Sequence, residues 1–152
     1  MDAIFAIDKP VGPTSHDVVA RIRRAARLRR VGHAGTLDPL ASGVLVVALG
    51  NATRLVEYLT ADDKAYRAVV AFGSETATDD AEGDVTRTGP VDHLDATAIT
   101  AALNGFRGTI TQVPPSYSAI SVGGERLHAL ARRGVAVEAP PRQVTIEAID
   151  LV

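Results

Sequence analysis

Cysteine is absent from the 152 residues, which excludes disulfides, thiolate metal sites and a cysteine nucleophile. Tryptophan is absent as well, and three tyrosines and three phenylalanines are all the aromatic residues there are. No apolar run reaches the ~20 residues of a membrane-spanning helix. The opening "MDAIFAIDKPVG" has neither the charged start nor the long apolar stretch of a signal peptide. An excess of one charge is missing too: 16 Lys and Arg stand against 18 Asp and Glu, so no bulk basicity announces a nucleic-acid partner. These absences predict a cytoplasmic protein with no membrane partner.

What is present is a 46% hydrophobic composition, enough for one domain with a real core. The charge is unevenly placed. Arg21, Arg23, Arg24, Arg27, Arg29 and Arg30 put six of the 16 basic residues into ten positions, a local surface compatible with RNA or DNA.

Read for elements, "AIFAID" (3–8) is a short strand closed by the turn "KPVGP". "TSHDVVARIRRAARLRR" (14–30) is a helix, with Thr14 and Asp17 in capping-box spacing. "VLVVALG" (44–50) is a buried strand, and "NATRLVEYL" (51–59) a short helix with Asn51 as its N-cap. "KAYRAVVAFG" (64–73) reads as a strand followed by a polar loop, and "DATAITAALNG" (95–105) as a helix with Gly105 just past its end. The segment 106–134 predicts a strand, a Pro-Pro break, a strand, a Gly-Gly turn and a short helix ending at Gly134. Strands and helices without regular βαβ alternation favour α+β: a mixed, mainly antiparallel sheet with flanking helices. The alternating "QVTIEAIDLV" ends the sequence in an apolar strand. This predicts the front part of a longer polypeptide, and a last strand with no neighbour.

The chemistry centres on "GHAGTLDPLASGVLVVALG" (32–50). Asp38 lies between glycines and is followed by Pro39, which restricts it to extended backbone. A carboxylate held this way at the rim of an apolar strand can serve as a nucleophile or cation stabiliser; the plainer reading is a turn residue. His33, five residues earlier, is too far along the chain for spacing alone to imply contact. Ser15 has no nucleophile elbow around it, which leaves a Ser-His-Asp hydrolase weak and makes the serine part of a helix start. The four histidines show no metal-ligand spacing. Tyr66, flanked by Lys64 and Arg67, suits stacking on a base with phosphates nearby, or a half-buried strand position.

Four stretches, "DKPVGPTSHDVV" (8–19), "VGHAGTLDPLASGVLVVALGNATRL" (31–55), "KAYRAVVAFGSETATDDAEGDV" (64–85) and "QVPPSYSAISVGGERLHALARRG" (112–134), occur in the order seen in one family. The sequence resembles the TruB-type tRNA pseudouridine synthases over essentially its whole length. The resemblance implies the N-terminal part of a pseudouridine synthase catalytic domain spanning residues 1–152, with a T-arm clamp at 112–142. It implies isomerisation of uridine 55 in the tRNA T-loop: the bond from ribose C1′ to uracil N1 breaks, the base turns, and C5 joins C1′. Asp38 matches the essential aspartate, whose role as nucleophile or proton acceptor is left open, and which requires a dry pocket with apolar neighbours such as Leu37 and Leu40. His33 matches the residue that fills the space vacated by the flipped base, Tyr66 the tyrosine that stacks on it, and Asp80 an acidic residue of the active-site region. Lys9 and Pro10 match a "KP" motif, placed with the RNA-binding residues and serving mainly as structural support. The resemblance implies no cofactor and no metal, the tRNA T-arm as partner, and no obligate protein partner.

Ser121 stands where the family usually has Lys, and His128 where Tyr is common. A later "GTYIR"-like segment, which in the family supplies an arginine to the aspartate and a further tyrosine, is not in this sequence, nor is the C-terminal RNA-binding domain. The alternative is therefore a non-catalytic tRNA-binding or RNA-folding module.

Overall fold

A computed structural model describes residues 1–114, 121–122, 125–126 and 139–152. The chain divides into two units, Met1–Arg67 and Ala68–Val152.

In the first unit, strands β1 (Ala3–Lys9), β2 (Val31–Ala34) and β3 (Gly43–Leu49) form one sheet in the order β1-β3-β2. Both pairings are antiparallel, from Ala3↔Leu49 to Lys9↔Gly43 and from Val31↔Leu49 to Ala34↔Val46. Helix α1 (Ser15–Ala26) covers one face. Burial along β1 alternates with the two-residue period of a strand. Phe5 and Ile7 thus join Leu45, Val47 and Leu49 in a cluster closed by Val18, Val19 and Ile22 of α1. This cluster fixes the register on which the site depends, because a one-residue slip of β3 would turn its buried side chains to the other face.

Helix α1 starts as its sequence predicts. Thr14 Oγ1 accepts from the Asp17 N–H at 3.1 Å, and the Asp17 carboxylate accepts from Thr14 N–H at 2.9 Å. The Thr14 hydroxyl, and then its N–H, hold the Asp17 carboxyl below its ordinary range. Thr14→Ala is expected to lower unfolding free energy by about 1 kcal/mol, read as an earlier urea midpoint with unchanged slope. The helix ends earlier than expected. Arg27 turns left-handed at φ 53°, and Leu28 N–H donates to Arg23 O at 3.2 Å, which lets Leu28 pack on the core instead of extending the helix to Arg30.

Asn51 is not an N-cap. The segment begins as a 3₁₀ turn, Gly50–Leu55, before α2 (Val56–Thr60). Asn51 N–H instead donates to Asp2 Oδ1 at 2.7 Å, a contact between residues far apart in sequence. Gly50 makes that approach possible: at φ +61° a Cβ there would collide with the Met1 carbonyl oxygen and the Asp2 carboxylate.

The second unit contains β4 (Ser74–Thr76), β5 (Val85–Thr88), α3 (Ala96–Asn104), β6 (Gly108–Gln112), β7 (Ser121–Val122), β8 (Glu125–Arg126) and β9 (Arg142–Ile146). The strand expected at 64–73 is not formed. Val69 is 99% exposed, and no ladder partner meets this stretch among the described residues. A strand exists only through its neighbour's N–H and C=O groups, so apolar alternation alone does not make one. The loop after it is partly a hairpin, β4 with β5. Helix α3 is capped by Asp95, which accepts from Ala98 N–H at 2.7 Å. Gly105 stays right-handed at its end, and the left-handed turn comes at Gly108.

The last strand does have a neighbour, contrary to expectation: β9 pairs with β6 over five residues, Gly108↔Ile146 to Gln112↔Arg142. Strand β7 pairs with β8, Ser121↔Arg126 and Val122↔Glu125, while the expected Gly-Gly turn and the helix expected to end at Gly134 lie outside the described residues. The architecture is α+β with antiparallel pairing throughout the described residues, as the sequence predicts, but the pairings form separate small sheets. Among the described residues no helix is long and apolar enough to cross a membrane.

Candidate active site

Asp38 stands on a loop held from both sides. Lys9, at the end of β1, is fully buried and its Nζ donates to the carbonyls of Pro10 and Pro13, each at 2.9 Å. Those bonds shape the turn in which Gly12, at φ +111°, directs its N–H to the Pro39 carbonyl at 2.8 Å. On the other side Ser15, 1% exposed at the start of α1, grips Leu37 twice. Its Oγ donates to Leu37 O at 3.0 Å and accepts from Leu37 N–H at 2.9 Å. Ala41 N–H closes onto Asp38 O at 3.0 Å, a turn with Asp first and Pro second, both favoured there.

The turn reading of Asp38 therefore holds for its backbone. Its carboxylate does not serve the turn: among the described residues it takes part in no hydrogen bond and no ion pair, and it is exposed. The expected apolar enclosure is not there among the described residues. Leu37 packs toward the core, and Leu40 is 46% exposed. The backbone amides and carbonyls bind the loop down and leave the side chain uncommitted, which is how a reactive group is presented rather than how a structural one is used.

His33 lies opposite Val47 on β2, so it shares the sheet face that α1 covers. Its Nδ1–H donates to Gly35 O, and its ring meets that of His16 edge to face, 5.3 Å between centroids. Tyr66 is 73% exposed, outside any strand. Two residues before it, Lys64 Cε lies 3.9 Å from where a Cβ of Gly35 would be, so the tyrosine's segment leads away beside the His33 turn. Lys9, expected among RNA-binding residues, offers no surface to RNA; burial and carbonyl bonding make it a brace.

Asp80 belongs to the second unit and organises its own loop. Its Oδ1 accepts from Thr78 Oγ1 at 2.6 Å and Glu82 N–H at 2.9 Å. The Thr78 hydroxyl foremost, then the N–H groups of Glu82 and Gly83, hold its carboxyl below the ordinary range. A depressed folded-state value means that these bonds contribute fully above the ordinary aspartate range and are lost as pH falls through the lower value. The Glu82 amide proton shift is thus expected to titrate with a midpoint below the ordinary aspartate value. A midpoint at or above that would show the bonds to be absent in solution.

The structure joins Lys9, Gly12 and Ser15 to Asp38 in one framework and sets His33 against His16. Sequence patterns do not point to Ser15, Gly12 or His16 in these roles. A serine after a capping threonine reads as helix start, and nothing in its type advertises a partner 22 residues away.

The solved structure titled "Crystal Structure of a Cbf5-Nop10-Gar1 Complex" contains a chain of similar fold, with TM-score 0.55 and 30% identity over 93% of this chain and 32% of that one. The α+β framework is thus a fold shared with a chain of that solved complex. More narrowly, the model of the TruB family pseudouridylate synthase (N terminal domain) matches residues 23–152, and the chain belongs to that family. It is 52% identical to "tRNA pseudouridine synthase B" of Thermobifida fusca over 95% of this chain and 50% of that protein. It is 51% identical to the protein of the same name from Trichormus variabilis over 100% of this chain and 52% of that one. The chain spans about half the length of these curated relatives.

Proposed function

We propose that this chain is the N-terminal part of the catalytic domain of a cytoplasmic tRNA pseudouridine synthase, acting on uridine 55 of the T-loop with Asp38 as the reacting carboxylate. The observation that carries the reading is the braced loop: four hydrogen bonds to its backbone fix residues 37–41 while the Asp38 carboxylate is left without a partner among the described residues. In the reaction the C1′–N1 bond breaks, the uracil turns, C5 bonds to C1′, the C5 proton leaves and N1 takes up a proton, so that the product is an isomer of the substrate. The base is both leaving group and returning nucleophile, so one carboxylate suffices where glycoside hydrolysis needs two.

The target is stacked in a folded loop and must be flipped out, at a few kcal/mol. In this reading His33, fixed by Gly35 O, fills the gap in the RNA, and exposed Tyr66 stacks on the extruded base. Lys9 supports the site from below, Asp80 holds its own loop near the RNA, and residues 112–142 clamp the T-arm. The clamp lies largely outside the described residues.

The test is tritium release from a T-arm RNA labelled at uridine C5. Release establishes the reaction. The open surroundings of Asp38 favour one other reading, a module that binds tRNA without isomerising it; binding with no release, in this chain and in one extended at its C-terminus, would establish that instead.

A further inference from the structure

Beside His33, on the flank of α1, an open cleft of about 480 Å³ is lined by Arg23, Arg29, Arg30, His16 and His33, over a floor that includes Val19 and Val31. Among the described residues no carboxylate lines it. We infer that this cleft is a binding site for a backbone phosphate of the RNA, separate from the Asp38 loop.

The six arginines of 21–30 are equivalent in sequence, but the fold separates them. Helix α1 ends at Arg27, and the chain turns back before β2. That reversal brings Arg29 and Arg30 round to the side of Arg23, whereas Arg21, Arg24 and Arg27 do not line the cleft. Arg23 is held in place, with Nη2 donating to Val31 O at 3.1 Å, and Arg30 reaches Asn51 Oδ1 at 3.3 Å. Each contact is to a neutral oxygen and leaves the guanidinium charge uncompensated. Among the described residues the ion pairs are Arg87 with Glu75 and Arg107 with Asp150, so none uses a cleft arginine.

Three guanidinium groups and two imidazoles converging without a carboxylate select an anion, and guanidinium is the group best matched to a phosphate's paired oxygens. The identity of that anion as RNA rests on the proposed function. The cleft's position supports it: its wall includes His33, so a nucleic acid engaged by His33 would have this basic surface beside it.

The test compares two double variants that remove equal charge from the same stretch. Arg29→Ala with Arg30→Ala empties the cleft of two cations; Arg21→Ala with Arg24→Ala removes two that lie outside it. Binding of a fluorescent T-arm hairpin, and of an unrelated RNA hairpin, is measured from about 50 to 200 mM salt. The cleft variant is expected to bind both RNAs about tenfold more weakly, with the slope of log K against log salt reduced by roughly 0.7–0.9 for each phosphate no longer engaged. The control variant is expected to match the parent. Equal weakening by the two pairs would reduce the effect to overall charge and overturn the site, as would no weakening by the cleft pair or no RNA binding by the parent. Tritium release by the parent, scored separately, reports on Asp38, so the two readings fail independently.

Discussion

Asp38→Asn is expected to abolish tritium release from T-arm RNA while leaving the affinity for that RNA within about twofold. The substitution keeps the size of the side chain and its polarity at an exposed position, and the turn around it is made by backbone atoms of Leu37, Asp38, Pro39 and Ala41. Folding therefore has no reason to change. What is lost is a negative charge and a lone pair able to attack carbon or take a proton. Removing a positioned proton acceptor costs about 10²–10⁴ in rate, and removing a nucleophile that forms the intermediate costs more. A variant that releases tritium at the parent's rate would remove Asp38 from the mechanism. Equal loss of RNA affinity and release would make the residue a binding contact.

How much of the molecule is legible in its sequence depends on the range over which each feature is decided. The capping box of α1, the short strand β1 and the apolar run of β3 are set by neighbours within a few residues, and all three appear where the sequence predicts them. Asn51 and residues 64–73 depart from expectation because their fate lies elsewhere. Asn51 answers to Asp2, and the apolar stretch at 64–73 has no strand beside it among the described residues. The last strand departs the other way, since its partner β6 begins at Gly108, well back in the chain. The candidate site shows the same division. The proposed reacting group, Asp38, is legible from the glycine and proline around it and from the family resemblance. The groups that hold it are not. Ser15 touches Leu37 only because α1 is packed on the sheet, and Arg29 and Arg30 join Arg23 only because Arg27 turns left-handed.

That dependence on Ser15 leads to the second large effect. Ser15→Ala removes one hydroxyl and leaves both the N–H and the C=O of Leu37 without their partner, next to a side chain that is 1% exposed. A buried polar group left unpaired costs about 1–3 kcal/mol. The loop can recover part of this by moving, and in moving it carries Asp38, the next residue, off its position. A displacement near 1 Å at a reacting group is enough for about a 10²-fold loss of rate. The expected result is a kcat about a hundredfold lower with KM nearly unchanged, since no RNA-facing group has been altered. Ser15→Thr separates position from packing. It keeps the hydroxyl and adds a methyl group to a closed space, an overpacking that costs about 1–3 kcal/mol. The threonine variant would then melt early yet turn over close to the parent rate when assayed well below its melting temperature. If both variants lose kcat in proportion to their loss of stability, the hydroxyl is only part of the fold. If rate follows the hydroxyl while stability follows the methyl group, Ser15 holds the aspartate where the reaction needs it.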